Sequence, residues 1–393
     1  MTAPMTAPMS TLYRRALLAA CAGLTLTLAA PLTQAAEAIR ITSIQELSGT
    51  GATAGTNFKN GMDLAIKEIN AAGGVLGQKI DVTFADTQSN PGVAKGLAQK
   101  AVDDDVFAVF GPGFSGSILV SMSETRRAKI PNFTGGEAAS VTLQGNPYVF
   151  RTSFGQQTSM PKAARYMVQN LKAKTVAVIY VNNDFGKGGR DMITKSLEVM
   201  GAKVVADIST DPGKLDFSAP VLQAKQSNAD VIFVYTNEEE AARCLRELKK
   251  QGVTKPIFGE TVLTGQKVIE LAGDAANGAQ AHIGLSVDAP VPTMRAFRAR
   301  FEKAFGYIPD HNGIKGYTSV YVMKAGIEKV GKVDRAAFAK AMQGLSVSAA
   351  KYPGVLMDVS YNDKGDLDRE SFIVEVRNGK QEVKEVLPAL SKK

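Results

Sequence analysis

Gly111-Pro112-Gly113-Phe114-Ser115-Gly116 has the spacing of a glycine-rich ligand loop, and it follows a strand-like run and precedes a helix-like one. Glycines let a backbone approach a ligand closely, and the N–H groups at a helix start carry partial positive charge. Ser115 adds a hydroxyl there. The chemistry implied is an anion seat suited to a carboxylate. The plain alternative is that Ser115 or Ser117 caps its own helix. A dinucleotide site fits poorly, because the loop follows the third strand signal and Ile130-Pro131-Asn132-Phe133 offers no acid for a ribose. Gly113-Phe114-Ser115-Gly116-Ser117 misses the G-x-S-x-G nucleophile elbow by its last residue. A triad would need His282 or His311, the 2 histidines of the chain, and no spacing pairs either with Ser115.

Other candidates stand after strand signals. Thr134-Gly135-Gly136-Glu137 supplies glycines and an acid, the materials of a pocket wall or of a turn. Asn182-Asn183-Asp184-Phe185-Gly186 places an aromatic ring in a loop. Glu238 follows the strand that ends at Tyr235, and Glu260 follows the one that ends at Phe258. For Glu238, Asn237 as N-cap with acids in the first turn is an equally good account. Ligands of open α/β sheets bind at strand C-terminal edges, so Phe114, Ser115, Gly136, Glu137, Phe185, Glu238 and Glu260 form the expected binding set. No catalytic residue, metal ligand set or cofactor is expected.

The elements that must position these residues alternate. Strand signals run over 39–47, 79–85, 106–110 and 131–134, with helical spacing at 58–69, 93–102 and 117–127. A second series has strands at 175–181, 204–208, 231–235 and 256–258, with helices at 186–200, 217–226 and 238–250. Residues 296–330 are helical again and can rejoin the first series, and Ser371 to Arg377 reads as a late strand. Alternation of this kind predicts an α/β fold of two doubly wound parallel-sheet lobes.

The chain has 393 residues, 45% apolar and 21% charged, and a formal net charge of +8. Its Lys and Arg residues form no block of the kind that binds nucleic acid, so a solvated basic surface is expected. Arg14 and Arg15, the apolar run 16–30, Pro31 and the small residues around Ala35 and Ala38 read as an export signal over 1–38, cleaved after Ala38. Leu18-Ala19-Ala20-Cys21 resembles a lipobox, but the apolar run continues past Cys21. Cys244 sits in an apolar helical stripe and reads as a core residue.

The sequence resembles the Leu/Ile/Val-binding group of periplasmic solute-binding proteins, which serve ABC transporters and have the type I two-lobe fold. The resemblance rests on Leu47-Ser48-Gly49, on the run from Gly61-Met62-Asp63-Leu64-Ala65 to Gly73-Gly74-Val75-Leu76-Gly77, and on Phe110-Gly111-Pro112. Phe150-Arg151-Thr152, Asp184-Phe185-Gly186, Asp216-Phe217-Ser218 and Ala272-Gly273-Asp274 follow in family order. It implies a three-segment hinge, with lobe 1 over 39–154 and 286–368 and lobe 2 over 155–285 and 369–393. It implies a periplasmic monomer that captures a small solute and delivers it to an inner-membrane ABC permease and its ATPase, without catalysis. Ser115 would hold a ligand carboxylate, Gly135 to Glu137 would add contacts, Phe185 would be a pocket aromatic, and Glu260 would pair a ligand ammonium. The first-loop aromatic of the family falls here at Ala54, which leaves space for a ligand bulkier than leucine. Glu137, Glu238 and Glu260 favour a zwitterionic or cationic solute. A sensor subunit of the same fold, a receptor for an aromatic acid or amide, and an exported enzyme are the alternatives.

Overall fold

The computed structural model describes residues 1–3 and 37–389. Cys21, the possible lipobox and nearly all of the export signal lie outside the described residues.

The first sheet contains β1 (Ile39–Gln45), β2 (Ile80–Asp86), β3 (Ala108–Phe110), β4 (Asn132–Thr134) and β5 (Val149–Arg151). Their order is β2-β1-β3-β4-β5, and every pairing is parallel. Parallel strands need a crossover, and the helices Ala52–Ala71, Pro91–Asp103 and Ser115–Arg127 supply it. β3, β4 and β5 are buried throughout, as strands covered on both faces must be.

The second sheet contains β6 (Thr175–Val181), β7 (Lys203–Thr210), β8 (Val231–Tyr235), β9 (Ile257–Glu260) and β10 (Gln280–Ile283). A small sheet of β11 (Ser346–Val347), β12 (Val359–Tyr361) and β13 (Leu367–Asp368) joins the apolar cluster of the first sheet. β14 (Ser371–Arg377) and β15 (Lys380–Leu387) then return to the second sheet, whose order is β15-β14-β10-β9-β8-β6-β7. The chain therefore passes between the sheets after β5, β10 and β13.

The second sheet carries an antiparallel edge, where β14 pairs with β10 and β15 pairs with β14. Asn378 and Gly379 join them, both with positive φ (49° and 74°), the backbone of a tight two-residue hairpin. β15 had no apolar run to announce it; its residues alternate between exposed and half-buried.

The helix His311–Val330 lies on the helix Ala52–Ala71 within the apolar core of the first sheet. Glycines set their separation. A Cβ on Gly61 would fall 2.0 Å from the Gly313 carbonyl oxygen, and one on Gly316 would fall 2.0 Å from that of Phe58. Asp310 caps the second helix by accepting the amides of Asn312 and Gly313 at 2.7 and 3.2 Å. Cys244 is fully buried in the core beneath the second sheet, and burial pushes its thiol far up.

Candidate functional site

The C-terminal ends of β1, β3 and β4 face those of β6 and β8 across a cavity of about 290 Å³. Residues 113–117 and 135–137 line one side, and residues 183–185 with Asn237 and Glu238 line the other.

Ser115 is the first residue of the helix Ser115–Arg127. It does not cap that helix; the N-cap is Phe114 and makes no side-chain cap bond. The Ser115 hydroxyl instead accepts the amide of Ala138 at 3.1 Å, which ties the helix start to the glycine loop after β4. Gly136 packs closely against the same contact, since a Cβ there would lie 2.9 Å from Ser115 Oγ and 2.5 Å from Ile118 Cδ1.

Two amides of the glycine loop are occupied by one of the protein's own side chains. Gly113 donates its amide to Glu46 Oε2 at 2.9 Å, and Phe114 donates to Oε1 at 3.2 Å. Glu46 is buried at the end of β1, and burial raises its pKa while these amides pull it back down. Glu46 fell inside the first strand signal, so its chemistry had no mark in the sequence.

Arg151, fully buried, holds the wall formed by residues 135–138. Its guanidinium donates to the carbonyls of Gly136 and Ala138 at 2.6 and 2.7 Å, and to Asp366 Oδ1 at 2.6 Å. That wall presents Glu137. Tyr235 donates to Glu137 Oε2 at 3.0 Å, and Lys315 Nζ stands 3.6 Å from Oε1. Burial, with Glu260 nearby, pushes Glu137 up to about 7.

On the other side, Asn183 caps the helix Asp184–Val199 by accepting the Gly186 amide at 2.9 Å. Phe185 is half-buried and stacks on Tyr235 with 4.1 Å between centroids. Gln156 locks the pair, donating to the Phe185 carbonyl at 2.7 Å and to the Tyr235 hydroxyl at 3.1 Å. Glu238 opens the helix Glu238–Lys250 and lines the cavity. Asn312 donates to its Oε1 at 3.3 Å. Burial, with Asp310 nearby, pushes Glu238 up to about 8.

Phe114, Ser115, Gly136, Glu137, Phe185 and Glu238 thus come together, and Glu260 lies outside the cavity lining. Its carboxylate sits 3.1 Å from His282 Nδ1, in a pair buried on both sides. Burial pushes Glu260 up to about 7 and His282 down to about 3. His311, Asn312 and Lys315 line the cavity without having been read as site residues. Pro309-Asp310-His311-Asn312-Gly313 has the composition of a turn. The signal available was Asp310 as an N-cap, which starts a helix there and sets Lys315 one turn along.

Among the described residues no group of His, Cys, Asp and Glu could hold a metal ion, and no helix is long and apolar enough to cross a membrane.

Two open α/β sheets that oppose their strand C-terminal edges across a cleft, with three chain crossings between them, define a two-lobe binding protein of the type I kind. The chain belongs to the periplasmic binding protein family, whose description matches residues 38–381. It is 31% identical to the Leu/Ile/Val-binding protein BraC3 of Rhizobium johnstonii over 337 residues, 85% of this chain and 90% of that one. Its fold is similar to the isoleucine complex of LivJ, a branched-chain amino acid transporter substrate-binding protein from Streptococcus pneumoniae. That match has a TM-score of 0.80 and 25% identity, and covers 89% of this chain and 99% of the other. A solute-binding protein of an ABC transporter from R. palustris, in complex with benzoate, matches with a TM-score of 0.82 and 21% identity over 90% and 97% of the two chains.

Proposed function

We propose that this protein is the extracytoplasmic substrate-binding component of an ABC transporter. It captures a small solute between its lobes and delivers it to a membrane permease and its ATPase. The observation that carries this reading is the cavity of about 290 Å³ whose walls come from both sheets. That size is at the low end for small-molecule sites, and both lobes must contact a solute held there. The family and its amino-acid-binding relatives support the same role. The strand pairing of the two sheets supports lobe boundaries after residues 154, 285 and 368. The positions of Phe114, Ser115, Gly136, Glu137, Phe185 and Glu238 around the cavity support them as binding residues. An exported protein with a cleaved leader fits this role, as does a receptor that binds without catalysis.

Calorimetry of the purified protein against amino acids, amides, amines and aromatic acids tests the role. One class binds with one site per chain, and the solute is recovered unchanged. Failure of every class, or turnover of the solute, contradicts it. Ser115→Ala weakens binding about tenfold, because one hydrogen bond that shapes the wall is lost and the buried Ala138 amide loses its partner. Unchanged affinity removes Ser115 from the site.

A further inference from the structure

We propose that Gln45 and Glu46, at the end of β1, form a specificity subsite that takes an N–H donor of the solute, carried by an amide, an amine or a guanidine. This inference rests on the receptor reading above and adds a recognition rule to it.

Both residues line the cavity, and both are buried, at 0% and 1% exposure. Gln45 donates its NH2 group to the Phe110 carbonyl at 3.0 Å and to Ser43 Oγ at 3.3 Å. Those two bonds fix which end of the side-chain amide is the oxygen, and that oxygen, Oε1, has no partner in the protein. A buried acceptor left unpaired is destabilising, so an arriving donor is favoured there.

Glu46 is a second acceptor, and it lacks a positive partner. Each of its oxygens takes one amide, from Gly113 at 2.9 Å and from Phe114 at 3.2 Å, whereas a carboxylate offers about four acceptor positions. The lysine of the cavity lining, Lys315, stands 3.6 Å from Glu137. The charged group that acts on Glu46 is Asp86, another acid. A buried carboxylate with no cation beside it carries an uncompensated charge.

The backbone builds this pair into place. A Cβ on Gly55 would fall 2.1 Å from the Glu46 carbonyl oxygen, and one on Gly51 would fall 2.7 Å from the Glu46 Cβ, so the start of the helix Ala52–Ala71 presses on it. Gly113 opens the space in front of the acceptors. The point that a Cβ on Gly113 would occupy lies 2.9 Å from Glu46 Oε2 and 4.0 Å from Gln45 Oε1. Nearby, a Cβ on Gly135 would meet Gly113 Cα at 3.6 Å and Phe58 Cε2 at 3.8 Å, which is ordinary contact. Two glycines and a ring thus leave a gap beside the two oxygens. A nitrogen at the Gly113 Cβ point is at hydrogen-bond distance from Glu46 Oε2, and a small shift brings it to Gln45 Oε1. A methyl group in the same gap would leave both oxygens desolvated and without a donor, which is the basis of discrimination. The subsite makes no use of the helix start at Ser115 to Ser117, so a solute can rest a second, anionic group there.

The test is titration calorimetry of the protein, freed of co-purified solute, with pairs in which methyl replaces the nitrogen or its hydrogens. The pairs are leucine and its methyl-for-ammonium analogue, acetamide and acetone, para-aminobenzoate and para-toluate, and benzylamine and benzyltrimethylammonium. The last pair keeps the charge and removes the N–H. At least one N–H member is expected to bind, about tenfold or more tighter than its partner. Gln45→Met and Glu46→Gln are each expected to cut that ratio to about threefold or less. A purely structural role would not move the ratio, and thermal melting checks that each variant folds. Should one variant fail to fold, the other variant and the parent's ratio decide. Equal binding within every pair, tighter binding of the methyl members, or a ratio unaltered in a folded variant overturns the subsite and leaves the receptor role standing. Silence of every pair also overturns it, and silence of every solute class titrated above removes the receptor role as well.

Discussion

Arg151 sets the shape of a wall to which it does not belong. Its three hydrogen-bonding nitrogens are consumed by Asp366 and by the carbonyls that hold Gly136 to Ala138 in place. Arg151→Met leaves Asp366 without its ion partner and two buried carbonyls without donors. Breaking a buried pair on one side costs about 3–5 kcal/mol, so the variant should unfold at clearly lower denaturant concentration. An unchanged unfolding midpoint contradicts this role. The acids at the cleft act on stability through pH. Burial raises Glu137, Glu238 and Glu260 from 4.5 to about 7, 8 and 7, so the native chain binds more protons than the unfolded chain above pH 4.5. Their stabilising share is complete below that pH and is lost as pH rises through 7 and 8. His282 works oppositely, held neutral down to about 3 from its ordinary 6.5, so its share is lost as pH falls below 6.5. From about pH 6.5 to 8.5 the carboxyl effect acts alone, and the Tm of the solute-free protein should fall. A Tm that rises over that interval contradicts the burial of these acids.

At the scale of elements, the crossing of the helices Ala52–Ala71 and His311–Val330 fixes where Asn312 and Lys315 enter the cleft. Gly316 faces backbone, not a movable side chain, so Gly316→Ala must push the helices apart. Overpacking of this kind costs about 1–3 kcal/mol, and the displacement also moves Lys315 from Glu137. Denaturant unfolding should show the loss, and a variant as stable as the parent would mean the helices are not held that closely. Much of this level was legible in the sequence. The helix expected over 238–250 is Glu238–Lys250, and the strand expected over 175–181 is β6. Apolar periodicity reports such elements because each buries a face. β15 was not legible, being an edge strand with only one half-covered face. The site divided along the same line. Residues that follow a strand within one lobe, such as Ser115, Glu137 and Glu238, can be placed at the cavity wall from the sequence because strand ends can be read. Lys315 was missed because 178 positions separate it from Glu137 and only the tertiary crossing joins them. Glu46 was missed because its partners are main-chain amides, which leave no trace in residue type.

Away from the chain crossings, side-chain hydrogen bonds at the cleft join the two α/β halves. Thr53 donates to Glu239 at 2.8 Å, Asn312 donates to Glu238, and Tyr235 donates to Glu137. Each bond joins the first sheet's half to the second, and each lies at or beside the cavity mouth. Three chain crossings and a few bonds of this kind permit the halves to part for a solute and close over it. The full chain has a formal net charge of +8, whereas acids outnumber the one lysine among the cavity-lining residues, so the abundance of acids at the site is a local property. Receptor function requires that a small solute be enclosed in this cavity between the lobes. A crystal structure of the protein grown with the solute it binds most tightly tests it directly. Solute density is expected enclosed between Ser115 to Glu137 on one side and Phe185 to Glu238 on the other. Solute density on an outer face, with the cavity filled by side chains, would contradict it.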